Sequence, residues 1–274
     1  MTDDDKPASD TSASRFPVIR RIGSSAIPLW LHAGWQDFRQ GGVASLFYGV
    51  CFAAAGWLMQ AVFAKAYALF AGLTTGFLLL GPFLALGLYD LSRRRELGEP
   101  PRLTPSLAAW RPNLANVGLF AALLAVVLLV WARASIVVFA LFFAGGLPSF
   151  ADVVRTVLTF EQADFAIVYF AVGGFFAVFV FAISVVAVPL MLDRKTDAIT
   201  AAIASLLACV RNPGPMLLWA ACIVLLVGIG FATVFVGLTI TMPLVGHATW
   251  HAYRDLVETD KEAEARKSAL ANGS

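Results

Sequence analysis

Two histidines one helical turn apart, His247 and His251 in His-Ala-Thr-Trp-His, come nearest in this chain to a reactive constellation. Side chains at i and i+4 share one face of a helix, and two imidazoles on one face can hold one side of a metal ion or a haem edge. A structural zinc site takes four ligands and a catalytic one three. The only other histidine is His32, and no cysteine neighbours any of the three in sequence. His32, His247 and His251 are therefore the candidate cofactor-binding residues, with haem or metal as the alternative reading. The reading preferred here sets all three at the headgroup level, the pair beside Trp250, where amphipathic rings collect. It assigns no catalytic residue, no metal site and no cofactor.

Other polar residues fall where they could line a path. Thr74 and Thr75 sit in one apolar run and Thr239 and Thr241 in another; these four are the pathway-lining candidates, set against the commoner role of hydrogen bonding within or between helices. Asp90, Asp193 and Asp255 each lie close to an arginine at the end of an apolar run. A proton relay wants acids at mid-depth, and the runs carry none there. Cys51, Cys209 and Cys222 show no C-x-x-C spacing and read as small packing residues, not as a disulfide framework.

The elements that must position these residues follow from composition. Of 274 residues, 59% are hydrophobic and 14% charged, against about 25% charged in a soluble domain; the mean hydropathy is +0.77. The apolar runs are continuous where a membrane barrel would alternate. The fold class this predicts is all-α: a polytopic transmembrane helical bundle.

The run Ala71 to Arg95 sets the register. About twenty residues without a charge reach Tyr89–Asp90, and Arg93, Arg94 and Arg95 then arrive together. With Asp90, Trp110 and Trp250, those arginines are the expected interface anchors. Six spans are predicted, at about 43–63, 67–91, 114–133, 165–192, 213–228 and 231–250, arranged as three hairpins within a domain over 28–256. Residues 1–27 and 257–274 read as polar tails, and 134–164 as an extracytoplasmic insert, with 134–144 either a helical extension or re-entrant. Arg133 reads as a snorkelling anchor beside Trp131. The stretch 215–246 is too long for one simple span, and two helices turning at Gly228–Ile229–Gly230 are chosen.

Amphipathic helices are expected on the membrane surface before each hairpin. Leu31, Trp35 and Phe38 mark the first, Leu103, Leu107 and Trp110 the second, and Ile199, Ile203, Leu206 and Val210 the third. Each ends near an arginine (Arg39, Arg111, Arg211), and each following hairpin returns through a proline (Pro82, Pro189, Pro243), a weak internal repeat. With six spans, all Lys and Arg residues except Lys65, Arg133 and Arg155 fall on one side, which places both termini in the cytoplasm by the positive-inside rule.

The run GLTTGFLLLGPFLALGLYDLSRRRELGEPP, Ser106-Leu107 with Trp110, and Pro243-Leu244 with GHATWHAYRDL resemble a bacterial family of integral membrane proteins of unknown function. Some of its members carry the label of cytochrome c oxidase subunit. The resemblance covers about Trp35 to Leu256. It implies an inner-membrane protein and supplies no catalytic residues; the oxidase label, with three interfacial histidines, would mean an accessory role. The expected function is a non-enzymatic accessory or assembly component of a membrane complex, for instance a respiratory one. A small-molecule transporter or channel is the alternative. The expected partners are the bilayer, its anionic headgroups and other subunits, and no nucleic acid.

Overall fold

The computed structural model describes residues 16–63, 84–143 and 163–258, and these are all-helical, without a named strand. In chain order the helices are α1 (Ala26–Gly41), α2 (Val43–Phe63), α3 (84–96), α4 (Leu103–Ser106), α5 (Leu114–Phe142), α6 (Ala163–Ser184), α7 (Ala187–Arg194), α8 (Ala198–Arg211), α9 (Pro213–Ala232) and α10 (Leu238–Leu256). A 3-10 turn over Arg111–Asn113 leads into α5. Among the described residues, four stretches are long and apolar enough to cross a membrane: Val43–Ala61, Leu103–Phe142, Ala163–Arg194 and Pro213–Ala232. The expected second span lies largely outside the described residues. The expected sixth, 231–250, becomes α10, whose second half carries His, Thr, Trp and Tyr and is buried in protein.

Helix α10 is the hub, packed on α1, α2 and α9. Two close approaches make this possible. A Cβ on Gly34 of α1 would lie 2.7 Å from the backbone nitrogen of Ala248, and one on Gly49 of α2 would collide with the carbonyl of Thr239. That carbonyl is the one Pro243 leaves without an intrahelical donor, because proline has no N–H to return to residue i−4. The α2–α10 contact is thus built on a proline and a glycine together.

Local sequence explains the breaks. Gly42 adopts φ 48° and returns its N–H to Phe38, separating α1 from α2. Pro189 interrupts the expected span 165–192: its ring displaces the carbonyl of Val185, and the chain breaks between α6 and α7. The buried amide of Val186 donates to the Ser205 hydroxyl at 3.1 Å.

Of the two readings of 134–144, the helical extension is the one that forms: α5 runs unbroken from Leu114 to Phe142, about 43 Å at 1.5 Å per residue. Residues 134–142 contain no Gly, Pro or charge to stop it. The stretch 215–246 does form two helices, but the turn is Thr233–Gly237, not Gly228–Gly230. Gly230 is needed inside α9, where an added Cβ would strike the side chain of Leu238. The real turn is closed by Thr233, whose hydroxyl accepts from Gly237 N at 2.8 Å and donates to Gly230 O at 2.9 Å. Val234 and Phe235 take positive φ there, 53° and 66°, a conformation that costs about 1 kcal/mol or more for a residue with a Cβ.

Both described termini meet at one end. Ile19 and Val257 form an isolated antiparallel bridge, with Arg20 N donating to Leu256 O at 2.8 Å and Glu258 N to Val18 O at 3.0 Å. Asn212, at the start of α9, clasps the same segment: its Oδ1 accepts from Ile22 N and its Nδ2 donates to Arg20 O.

Candidate functional site at the basic end

The arginine cluster of α3, the end of α7, the end of α10 and the whole of α1 converge at that end. Helix α10 directs His247 between α2 and α3. Its Nε2 lies 2.9 Å from Ser45 Oγ and its Nδ1 2.7 Å from Ser92 Oγ, and the residue is 0% exposed. A neutral imidazole offers one donor and one acceptor, so one serine donates to the ring and the other accepts from it. The His247 ring is enclosed by protein, not open to its surroundings. Both nitrogens are engaged, so neither can bind a metal or a haem iron without breaking a buried hydrogen bond.

One turn on, His251 Nε2 donates to Asp37 Oδ2 at 2.9 Å. Asp37 is 3% exposed and also pairs with Arg95. Arg95 reaches α1 twice more, with Nε donating to Gln40 Oε1 at 2.7 Å and Nη2 to Gln36 Oε1 at 3.5 Å. Burial first, and then the positive charge of Arg95, hold the His251 imidazole below its ordinary value, with Glu96 and Asp255 pulling the other way. A neutral ring that donates from Nε2 follows. His32, the third candidate, is exposed and shares a 2.9 Å contact with Gln36 Nε2. The histidines thus have separate partners, and among the described residues no three His, Cys, Asp or Glu side chains form a metal-ligand group.

The remaining anchors are also absorbed into protein. Arg94 Nε donates to Asp90 at 2.6 Å and its Nη1 to Glu99 at 3.0 Å. Arg93 and Arg254 flank Asp193, each at 3.3 Å, and Tyr253 donates its hydroxyl to the same carboxylate at 2.7 Å. Burial and then the Asp193 charge push the Tyr253 phenol well above its ordinary value. Trp250, expected among the headgroups, is 1% exposed and donates Nε1 to Glu96 at 3.1 Å, while Glu96 also pairs with Arg254. Trp110 donates to Leu107 O at 2.9 Å, with the Arg111 guanidinium 5.7 Å from its ring centroid. Trp30 reaches Asp255 at 2.6 Å and meets Trp219 edge to face.

Of the pathway candidates, Thr239 returns its hydroxyl to Val236 O at 2.7 Å. The Thr241 hydroxyl is buried without a partner. Thr74 and Thr75 lie outside the described residues. Arg133 is exposed on α5.

Sequence reasoning missed Asp37, Ser45, Ser92 and Glu96. Asp37 carried the one available signal, a carboxylate one residue before Phe38 on a helix otherwise bare of acids. On α1 the face that packs against protein is Ile27, Trp30, Gly34, Asp37 and Gly41, a face that sequence reasoning did not single out.

Away from this end, an apolar groove of about 320 Å³ opens between α5 and α6, lined by Leu124, Leu128, Trp131, Gly173, Phe176 and Ala177 among others.

Residues 69–193 match a family model described as Predicted integral membrane protein (DUF2189). Over these residues the chain is similar to a membrane-protein family of unknown function, as its motifs indicate, and it is an integral membrane protein with several apolar helices. No curated protein and no solved structure matches it.

Proposed function

We propose that the chain is a non-enzymatic accessory or assembly component of a larger complex in the bacterial inner membrane, with both termini cytoplasmic. The observation that carries this is the groove between α5 and α6. It lies on the outer flank of the bundle, floored by Gly173 and Ala177, and its shape suits the side-chain ridge of a neighbouring transmembrane helix, where small residues let helices approach. The chemistry-bearing side chains at the basic end have partners within the chain, which leaves surfaces as the means of acting on other molecules. The orientation is supported by the Ile19–Val257 pairing: segments bonded to each other lie on one side of a bilayer, so the crossings between them are even in number. Arg93, Arg94 and Arg95 at that end then favour the cytoplasm.

Gentle detergent extraction followed by native gels tests the reading. The wild type is expected to run with partner subunits, and Gly173→Leu, which fills the groove, to run without them. Migration of the wild type only as a monomer or self-oligomer refutes it. A reporter fused after Ser274 tests the orientation, with periplasmic activity as the refuting result.

One observation favours a second reading, a small-molecule pathway: the partnerless hydroxyl of Thr241, buried between apolar helices. Cysteine at Thr241 should then react with aqueous thiol reagents, and complete protection in intact and permeabilised cells removes the idea.

A further inference from the structure

Helix α8 turns its small side chains inward and its large ones outward. Ala198, Ala201, Ala204, Ser205 and Ala208 are buried, whereas Ile199 and Val210 are 67% and 70% exposed, with Ile203 and Leu206 exposed between them. A helix that sends a bulky aliphatic stripe away from its own protein has the build of an interfacial helix resting on acyl chains. Its depth is fixed by its neighbours: α7 ends at Arg194 just before it, and membrane-length α9 begins at Pro213 just after it.

Beside this stripe a groove of about 470 Å³ runs between α8 and the N-terminal segment. Phe16, Val18, Ile19, Ile203 and Leu207 supply apolar walls, and Arg211 supplies a charge. Ile203 belongs to both groove and stripe, so the two apolar surfaces are continuous. Arg211 is exposed, and among the described residues its guanidinium makes one long hydrogen bond, Nη1 to Ile19 O at 3.4 Å, and no ion pair. Most of its five donors therefore remain for an anion. The acid of the same helix, Asp197, is occupied at its opposite end, where it caps α8 through Thr200 N at 2.9 Å.

We infer that this groove binds one anionic phospholipid, its phosphate on the Arg211 guanidinium and its acyl chains along Ile203, Leu207 and the outward stripe of α8. An arginine fork matches phosphate oxygens in bidentate geometry, and the apolar walls accept a chain that free phosphate lacks. The site goes beyond the accessory role and survives its failure, since it requires only that α8 lie at the membrane surface.

The test uses the full chain in phosphatidylcholine nanodiscs titrated with phosphatidylglycerol, with bound lipid counted by native mass spectrometry. The wild type should retain phosphatidylglycerol in preference to phosphatidylcholine. Arg211→Gln should lower that preference roughly fivefold, the change expected of one basic residue at a charged leaflet, and Arg211→Lys should restore much of it. Leu207→Asn should weaken retention of both lipids. Equal retention of the two lipids by the wild type overturns the site, as does a preference that survives Arg211→Gln. Displacement of the lipid by millimolar inorganic phosphate alone would overturn the apolar half. Should Arg211→Gln fail to fold, the wild-type competition between the two lipids decides by itself.

Discussion

The two ends of the bundle are held by different physics. At the basic end, Asp37, Arg95 and His251 tie α1, α3 and α10 together, and Ser45, His247 and Ser92 tie α2, α10 and α3. At the opposite end of α5 and α6, the contacts are rings: Phe139, Phe142 and Phe143 meet Phe165 at centroid distances of 5.2, 5.7 and 4.9 Å, and Tyr169 stacks on Phe165 at 5.6 Å. Lipid tails are as apolar as these rings, so moving a ring from lipid to protein gains little beyond packing. A buried ion pair or a buried imidazole has one arrangement that satisfies it and many that do not. The polar end therefore specifies the fold, and the aromatic end fills it.

Breaking the close approaches that the polar end depends on should have the largest effect. Gly34→Leu drives a side chain into the Ala248 backbone, and the expected outcome is loss of monodisperse protein on gel filtration after extraction. Next comes the buried pair. Arg95→Ala leaves Asp37 charged and enclosed, which should cost about 3–5 kcal/mol in a denaturation midpoint series. The double variant Asp37→Asn with Arg95→Met should recover much of that loss, and failure to recover it would mean that the guanidinium's bonds to Gln36 and Gln40 matter more than the charge.

The aromatic end should respond less. Phe165→Leu keeps an apolar side chain and loses only ring geometry, an effect of about 1 kcal/mol in the same assay. A loss as large as that of Arg95→Ala would overturn the contrast between the ends.

The smallest effect is pH-dependent. The His251 imidazole is held below its ordinary 6.5 in the folded state, so the unfolded chain takes up a proton first as pH falls. Stability should be full above 6.5, decline as pH drops from 6.5 toward the lowered folded value, and level off below it. His251→Gln should flatten that slope, and an unchanged slope would assign the dependence to another group.

Particular residues show what was legible before the structure. Length and apolarity announced the helices of a membrane bundle, because a charge-free run of that length has no other stable solvent. Gly41–Gly42 announced a break, because glycine's backbone freedom acts whatever surrounds it; the break before Pro189 was not foreseen within the span 165–192. The i and i+4 spacing put His247 and His251 on one face correctly and said nothing of what the face would meet. The same limit applies to the amphipathic stripes of α1 and α8, whose spacing did not say which face would pack on protein. Periodicity identifies two unlike faces and does not say which of them meets protein; on α8 it is the alanines that do.

The amino-acid order alone determined the class of the molecule, its apolar helices and several of its breaks, since these depend on interactions within a few residues or with the solvent. Only the tertiary structure decided that Asp37 meets Arg95 58 residues away, that His247 is enclosed by two serines, and that the first and last described segments pair. Those outcomes depend on which side chains packing brings together. No local property of aspartate, histidine or serine encodes a partner that lies on another helix.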